Sequence, residues 1–229
     1  MAASCIRSVS QVLILLLTAT AAHAGVITSV TTSALPGSST AAIGLVATLE
    51  VNNDNTTAAS PNTVPYSVSF GALGPLQVEF ATANSGGTTE YYFTQTFVNN
   101  TGQTWTGFVF ELGYGLGAGF TSLGAADGLD FDWSTADPAP TASLFSVLSH
   151  QSDRIDWSGG SVPSLGALTF TFSIDVPDGL AGFNPSQLNR FTLRQTPIVA
   201  TQSVPEPSLL LLLLLSSGLL ALVSRRRKA

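Results

Sequence analysis

Acidic side chains form the densest group of chemically useful residues in this 229-residue chain. They lie at Asp127, Asp130, Asp132 and Asp137. A calcium ion takes about six to eight oxygen ligands, and carboxylates at alternating loop positions can supply several of them. Asp130 and Asp132 would share one face if residues 128–134 form a strand. We therefore interpret Asp127, Asp130 and Asp132 as candidate calcium ligands, with a solvated acidic loop as the alternative.

Groups that nucleophilic and zinc enzymes use are scarce in this sequence. After residue 24, His150 is the single histidine, and residues 25–204 contain neither lysine nor cysteine. A zinc site with several histidines, a P-loop and a Ser–Lys pair are therefore excluded there. The glycines of the G-x-G-x-x-A pattern at residues 113–118 precede no amphipathic helix, so we interpret them as turn or packing residues. We assign no catalytic or cofactor-binding residue and interpret His150 as an exposed loop residue.

Aromatic rings and paired carboxylates leave two alternatives open. Four aromatic residues would stack on sugar rings if they are exposed, which would make a carbohydrate-binding module: Trp105, Trp133, Trp157 and Tyr114. A suitably spaced carboxylate pair would make a glycosidase, although the sequence singles out no pair. We predict a non-enzymatic protein, with a calcium- or carbohydrate-binding module as one alternative and a secreted hydrolase as the other.

Alternating apolar and polar residues predict the elements that position these side chains. Period-2 patterns indicate half-buried strands at residues 45–51, 76–80, 91–97, 108–112, 168–176 and 190–194. Clusters of Asn, Gly, Pro and Ser between them mark turns. We predict an all-β fold, an antiparallel β-sandwich of about eight to ten strands over residues 25–195, with residues 196–203 as a linker.

One segment has the pattern of a β-hairpin. Residues 90–113 contain two apolar runs, Asn99–Gly102 supplies turn residues, and Trp105 opens the second run. The Asn-x-Thr sequons at Asn55 and Asn99 are typical of surface turns as well.

The amino-terminal end has the three parts of a secretory signal peptide. Residues 1–24 combine a positive start with the apolar run Val12–Leu17, and Ala22 and Ala24 occupy the −3 and −1 positions before Gly25. The apolar run is shorter than the roughly 20 residues that a membrane span needs. We therefore predict export and cleavage after Ala24 by signal peptidase.

The other end combines a short motif with an apolar run and a basic tail. Pro205, Glu206 and Pro207 precede a run at residues 208–223 that predicts a transmembrane helix. The basic residues that follow are Arg225, Arg226, Arg227 and Lys228. Positive residues stay on the cytoplasmic side, which agrees with export of the amino-terminal part. Proline lacks an N–H group and favours extended backbone around it, so the motif is suited to a processing enzyme.

This carboxy-terminal end, residues 204–229, closely resembles the PEP-CTERM sorting signal of Gram-negative bacteria. The resemblance rests on Pro205, Glu206 and Pro207 together with the apolar run and the basic tail. It implies recognition by an exosortase, a membrane-embedded cysteine enzyme that cleaves near the motif. It also implies an inner-membrane anchor before processing, and afterwards a place at the cell surface or in an exopolysaccharide or biofilm matrix.

The distribution of charge agrees with this organisation. Fourteen acidic residues outweigh eight basic ones and give a net charge of −6. Five of the eight basic residues are Arg7 and residues 225–228, so the segment between the two ends is strongly acidic. Such a segment does not bind nucleic acid, because phosphates require Lys and Arg opposite them.

Overall fold

The computed structural model describes residues 25–33, 39–40, 43–44, 49–54, 59–122, 124–133 and 137–200. The strands are β1 (Gly25–Ser33), β2 (Ser39–Thr40), β3 (Thr63–Phe70), β4 (Leu76–Asn84), β5 (Thr88–Asn99), β6 (Trp105–Gly113), β7 (Thr141–Ala142), β8 (Val147–Gln151), β9 (Arg154–Ser158), β10 (Ala167–Pro177) and β11 (Arg190–Val199). Single 3-10 turns lie at Gly117–Gly119, Ala125–Asp127 and Leu180–Gly182. None of the helical turns in these ranges is long and apolar enough to span a membrane. The predicted signal peptide, transmembrane helix and basic tail lie outside the described residues.

Two sheets contain all of these strands, which confirms the all-β prediction. One has six strands in the order β1-β4-β11-β6-β9-β8, and the other has five in the order β2-β3-β5-β10-β7. Aromatic rings from the two inner faces meet in the core, where Phe97 of β5 stacks on Phe108 of β6 with centroids 5.0 Å apart. On β10 the predicted alternation holds, with Phe170 and Phe172 buried and Thr169 and Thr171 less so. The two sheets therefore pack as a β-sandwich.

The prediction of a purely antiparallel sandwich is wrong at one pair of strands. β3 and β5 are parallel neighbours, in register from Thr63 opposite Tyr92 to Phe70 opposite Asn99. Between them, β4 lies in the other sheet. The chain crosses to the second sheet and back, and it therefore returns beside β3 in the same direction.

The predicted hairpin at residues 90–113 is also wrong. Its two strands lie in different sheets, because β5 is flanked by β3 and β10 while β6 lies between β11 and β9. At the start of β6, Trp105 exchanges backbone hydrogen bonds of 3.0 and 2.9 Å with Val162. Asn99 is fully buried, so its sequon does not mark a surface turn, and Asn55 lies outside the described residues.

Two predicted boundaries differ from the structure. Residues 49–54 form no strand, and the side chains of Leu49 and Val51 are 67% and 49% exposed. The backbone N–H of Leu49 instead donates to the side-chain oxygen of Asn62 at 2.7 Å. β11 continues to Val199, so the first four residues of the predicted linker belong to the sheet.

Glycines of the G-x-G-x-x-A pattern serve the backbone, as predicted. A Cβ atom on Gly113 would collide with the carbonyl oxygen of Thr121, and Gly115 has a φ of +78°. Only glycine adopts both positions without strain. The end of the pattern lies in the 3-10 turn Gly117–Gly119 and not in the helix that a dinucleotide site needs.

Candidate metal centre

The outer face of β10 carries the first part of an acidic site. Ser173 and Asp175 point away from the core, because they alternate with the buried residues Phe172, Ile174 and Val176. On β5, the neighbour on one side, Glu90 lies opposite Asp175 and Tyr92 lies opposite Ser173.

The segment before β7 covers the other side of β10. Asp130 forms an antiparallel bridge with Asp175, and the backbone N–H of Asp132 donates to the carbonyl oxygen of Ser173 at 3.2 Å. Three chain segments thus form two rows across the outer face. One row is Asp130, Asp175 and Glu90, and the other is Asp132, Ser173 and Tyr92.

A loop residue adds a further carboxylate to this face. β7 lies beside β10 further along the chain, where Thr141 lies opposite Thr171. Asp137 precedes β7 in the sequence, and its carboxylate oxygen lies within 4.8 Å of those of Glu90 and Asp132. These three carboxylates converge although they come from a strand, an edge segment and a loop.

Burial and backbone hydrogen bonds position Glu90 in this group. Glu90 is fully buried, and Asp137 is 7% exposed. The backbone N–H of Glu90 donates to Asn53 Oδ1 at 3.0 Å, and its carbonyl oxygen accepts hydrogen bonds from Ser60 Oγ at 2.6 Å and Asn62 Nδ2 at 3.1 Å. The strand is thereby held at the point where Glu90 projects from it.

Burial and mutual repulsion raise the pKa values of these acids. The pKa of Asp175 rises to about 8, chiefly through burial and then through the charges of Asp132, Asp54 and other neighbouring carboxylates. Burial and a hydrogen bond with Asp137 raise the pKa of Asp132 to about 7. The pKa of Asp130 is raised as well, first by burial and then by Asp127.

The arginines of the described part of the chain lie on the six-stranded sheet, not in this group. Arg154 and Arg194 form ion pairs of 3.0 and 2.7 Å with Glu111. Arg190 forms an ion pair of 2.8 Å with Glu79. These arginines form ion pairs with carboxylates of their own sheet. The described residues therefore place no arginine beside the carboxylates on β5 and β10, which repel one another.

We expect the metal-free protein to be more stable near pH 5 than near pH 8. Asp175 and Asp132 titrate near pH 8 and 7 in the folded chain but near their ordinary value of 3.8 when unfolded. Between these values the folded state binds more protons, so the free energy of unfolding falls as pH rises through this window. Thermal denaturation in a chelating buffer across this pH range measures the effect.

The variant Asp175→Asn tests the source of this slope. Loss of the charge should stabilise the metal-free protein near pH 8 by on the order of 1–2 kcal/mol, with a smaller change near pH 5. Glu50→Gln, at an exposed acidic residue, is the matched control and should leave the slope unchanged. An Asp175→Asn protein that retained the full pH dependence would contradict this explanation.

Of the three predicted calcium candidates, only Asp132 belongs to the converging group of Glu90, Asp132 and Asp137. Asp130 lies on the same face as Asp132 and bridges to Asp175, but neither Asp130 nor Asp127 is among the three converging carboxylates. Asp127 instead accepts hydrogen bonds from the hydroxyl of Tyr114 at 2.7 Å and from the N–H of Leu129 at 3.0 Å. The sequence patterns do not single out Glu90 and Asp175; the signal available for both is an acidic residue among the Thr and Ser residues on the outer face of a core strand.

The aromatic candidates for sugar stacking are mostly in the core. Trp105 and Tyr114 are fully buried and Trp157 is 6% exposed, so these three cannot stack on a sugar. Trp133 is 40% exposed and packs edge-on against His150, with centroids 4.4 Å apart. His150 itself is partly buried on β8, which corrects its prediction as an exposed loop residue.

The carboxy-terminal segment matches a known family. Residues 203–228 match the model of the PEP-CTERM protein-sorting motif. The chain carries a PEP-CTERM sorting motif. This match contains Pro205, Glu206 and Pro207 and the basic tail, and it confirms the resemblance found in the sequence. The motif implies processing by an exosortase and suggests an exported protein. No curated protein and no solved structure matches the chain.

Proposed function

We propose that this PEP-CTERM protein is a non-enzymatic component of the cell surface or extracellular matrix. The observation that carries the proposal is the sorting motif at residues 203–228. An exosortase cleaves near the motif, and the acidic β-sandwich is then displayed outside the membrane. There we expect it to be surrounded by exopolysaccharide.

Each part of the sorting segment has a physical role in this proposal. The apolar run holds the chain in the inner membrane, and the basic tail stays in the cytoplasm. Pro205 and Pro207 lack backbone N–H groups and disfavour the interior of a helix. Each also disfavours a helical conformation of the residue before it, so the proposal expects extended backbone around Glu206, which suits an enzyme cleft.

The burial of the acidic site supports a non-enzymatic role. Hydrolysis of a glycosidic bond needs two carboxyl groups on either side of the substrate. Glu90 is fully buried and Asp137 is 7% exposed, so a polysaccharide cannot pass between them.

Mass spectrometry of the carboxy terminus from cells that contain an exosortase tests the sorting proposal. The native chain should lose the residues beyond the motif, whereas a variant with Pro205, Glu206 and Pro207 all replaced by alanine should keep the tail at 225–229. Gln202→Ala, just before the motif, is the matched control and should be processed normally. A native chain that retains its tail in such cells would overturn the proposal.

The same sample tests export through its amino terminus. The described strand β1, Gly25–Ser33, would lie entirely within the chain that remains after cleavage at Ala24. The expected first residue of the processed chain is Gly25. A chain that still began at Met1 would contradict cleavage by signal peptidase.

A further inference from the structure

We propose that the carboxylates of Glu90, Asp132 and Asp137, together with the hydroxyl of Ser173, bind a calcium ion on the outer face of the five-stranded sheet. This inference is independent of the sorting proposal, because a sorted chain could display the sandwich with or without a metal. The ligand atoms are all oxygens, which hard divalent cations prefer.

The spacing of the carboxylates fits the size of calcium. Their oxygens lie within 4.8 Å of one another. Calcium–oxygen distances are about 2.3–2.6 Å, so two ligands of one ion are at most about 5 Å apart. The three side chains can therefore share one ion without a rearrangement of β5 or of the segment beside β10.

Ser173 provides a second and independent observation. It is fully buried, and its Oγ atom has no hydrogen-bond partner among the described residues. Its side chain projects from the outer face between Asp132 and β5, beside Asp175. A buried hydroxyl without a partner destabilises the fold, and a cation held between Glu90 and Asp132 would accept its lone pair.

Two further oxygen atoms point to the same ligand. Oδ2 of Asp132 and Oδ1 of Asp175 are buried and have no hydrogen-bond partner among the described residues. Asp175 lies opposite Glu90 and two residues from Ser173, so it can add a ligand from the floor of the site. The partly buried Asp132 leaves a route by which the ion can enter.

Calcium fits this site better than magnesium does. Magnesium usually retains several water molecules and takes only one or two carboxylates. Three carboxylates and a buried hydroxyl leave little room for such waters. The ion would join β5, the edge segment at residues 130–132 and the loop that carries Asp137, and it would offset the repulsion among their charges.

Titration of the purified full-length chain in detergent, after treatment with a chelator, tests the proposal. Calorimetry with calcium chloride should show one site with a dissociation constant of about 10⁻⁵–10⁻³ M, and calcium should raise the melting temperature. Magnesium chloride should bind at least about tenfold more weakly. The absence of both heat and a thermal shift at about 5 mM calcium would overturn the proposal. Equal affinity for the two ions would overturn it as well.

Two variants and a control locate the ion. Asp132→Asn should weaken calcium binding at least about tenfold, whereas Asp156→Asn, on the other sheet, should leave it unchanged. Ser173→Ala should match or exceed the native stability without metal, because it removes a hydroxyl without a partner, yet its thermal shift with calcium should be smaller. Native-like calcium binding by both Asp132→Asn and Ser173→Ala would place the ion elsewhere and refute the assignment.

Discussion

Phe97→Ala should lower the free energy of unfolding by about 3–5 kcal/mol. Phe97 is fully buried on β5, and its ring lies against aromatic rings from both sheets. Centroid distances are 5.0 Å to Phe108, 5.5 Å to Phe170 and 5.6 Å to Phe70. The truncation removes apolar burial and leaves a cavity that rigid strands on both sides cannot fill.

Urea denaturation followed by tryptophan fluorescence measures this loss. Phe183→Ala is the matched control, because Phe183 is 42% exposed and loses much less buried surface on truncation. We expect a cost of about 1 kcal/mol or less for the control. Equal costs for the two variants would show that Phe97 does not lie at the centre of the core.

Asn99→Ala should cost about 2–4 kcal/mol, a large effect for a polar residue. The Nδ2 atom of Asn99 donates to the carbonyl oxygens of Gln103, Val162 and Pro163 at 2.7, 2.9 and 3.1 Å. Its Oδ1 atom accepts hydrogen bonds from the backbone N–H and the hydroxyl of Thr101 at 3.1 and 2.7 Å. Alanine would leave several of these polar groups without partners in the interior.

Asn100→Ala is the control, since the neighbouring asparagine is exposed and its amide donates to Ser69 Oγ at 2.6 Å. We expect this variant to lose no more than about 1 kcal/mol, as measured by the same urea titration. If both variants unfolded at the same urea concentration, the side chain of Asn99 would not hold the crossing between the sheets.

The contacts of Asn99 also show why the predicted hairpin is wrong. The turn residues Asn99–Gly102 and the apolar runs on either side are local signals. Two strands that pair within one sheet and two consecutive strands that lie in facing sheets produce the same pattern. The difference lies in partners far along the chain. β5 pairs with β3 and β10, and Asn99 binds the segment at Val162 and Pro163, about 60 residues away.

Strand positions were predicted better than strand partners. Alternation at residues 76–80, 108–112 and 168–176 depends on burial of one face, which each strand records in its own sequence. By contrast, the apolar pattern at residues 45–51 did not place residues 49–51 in a sheet, and Leu49 is largely exposed. An alternating pattern shows that a segment can form a strand. It does not show that a sheet has an unpaired edge strand beside which the segment can pair.

The sequence alone determined the sorting motif, the all-β class and the acidic character of the exported segment, because each depends on residue types at contiguous or regularly spaced positions. Only the tertiary structure decided which carboxylates meet. Glu90 and Asp175 become neighbours through the register of β5 and β10, whereas Asp127 accepts a hydrogen bond from the hydroxyl of Tyr114. Side chains from distant segments converge only after strand register and loop path are known, and these follow from the packing of the whole sandwich.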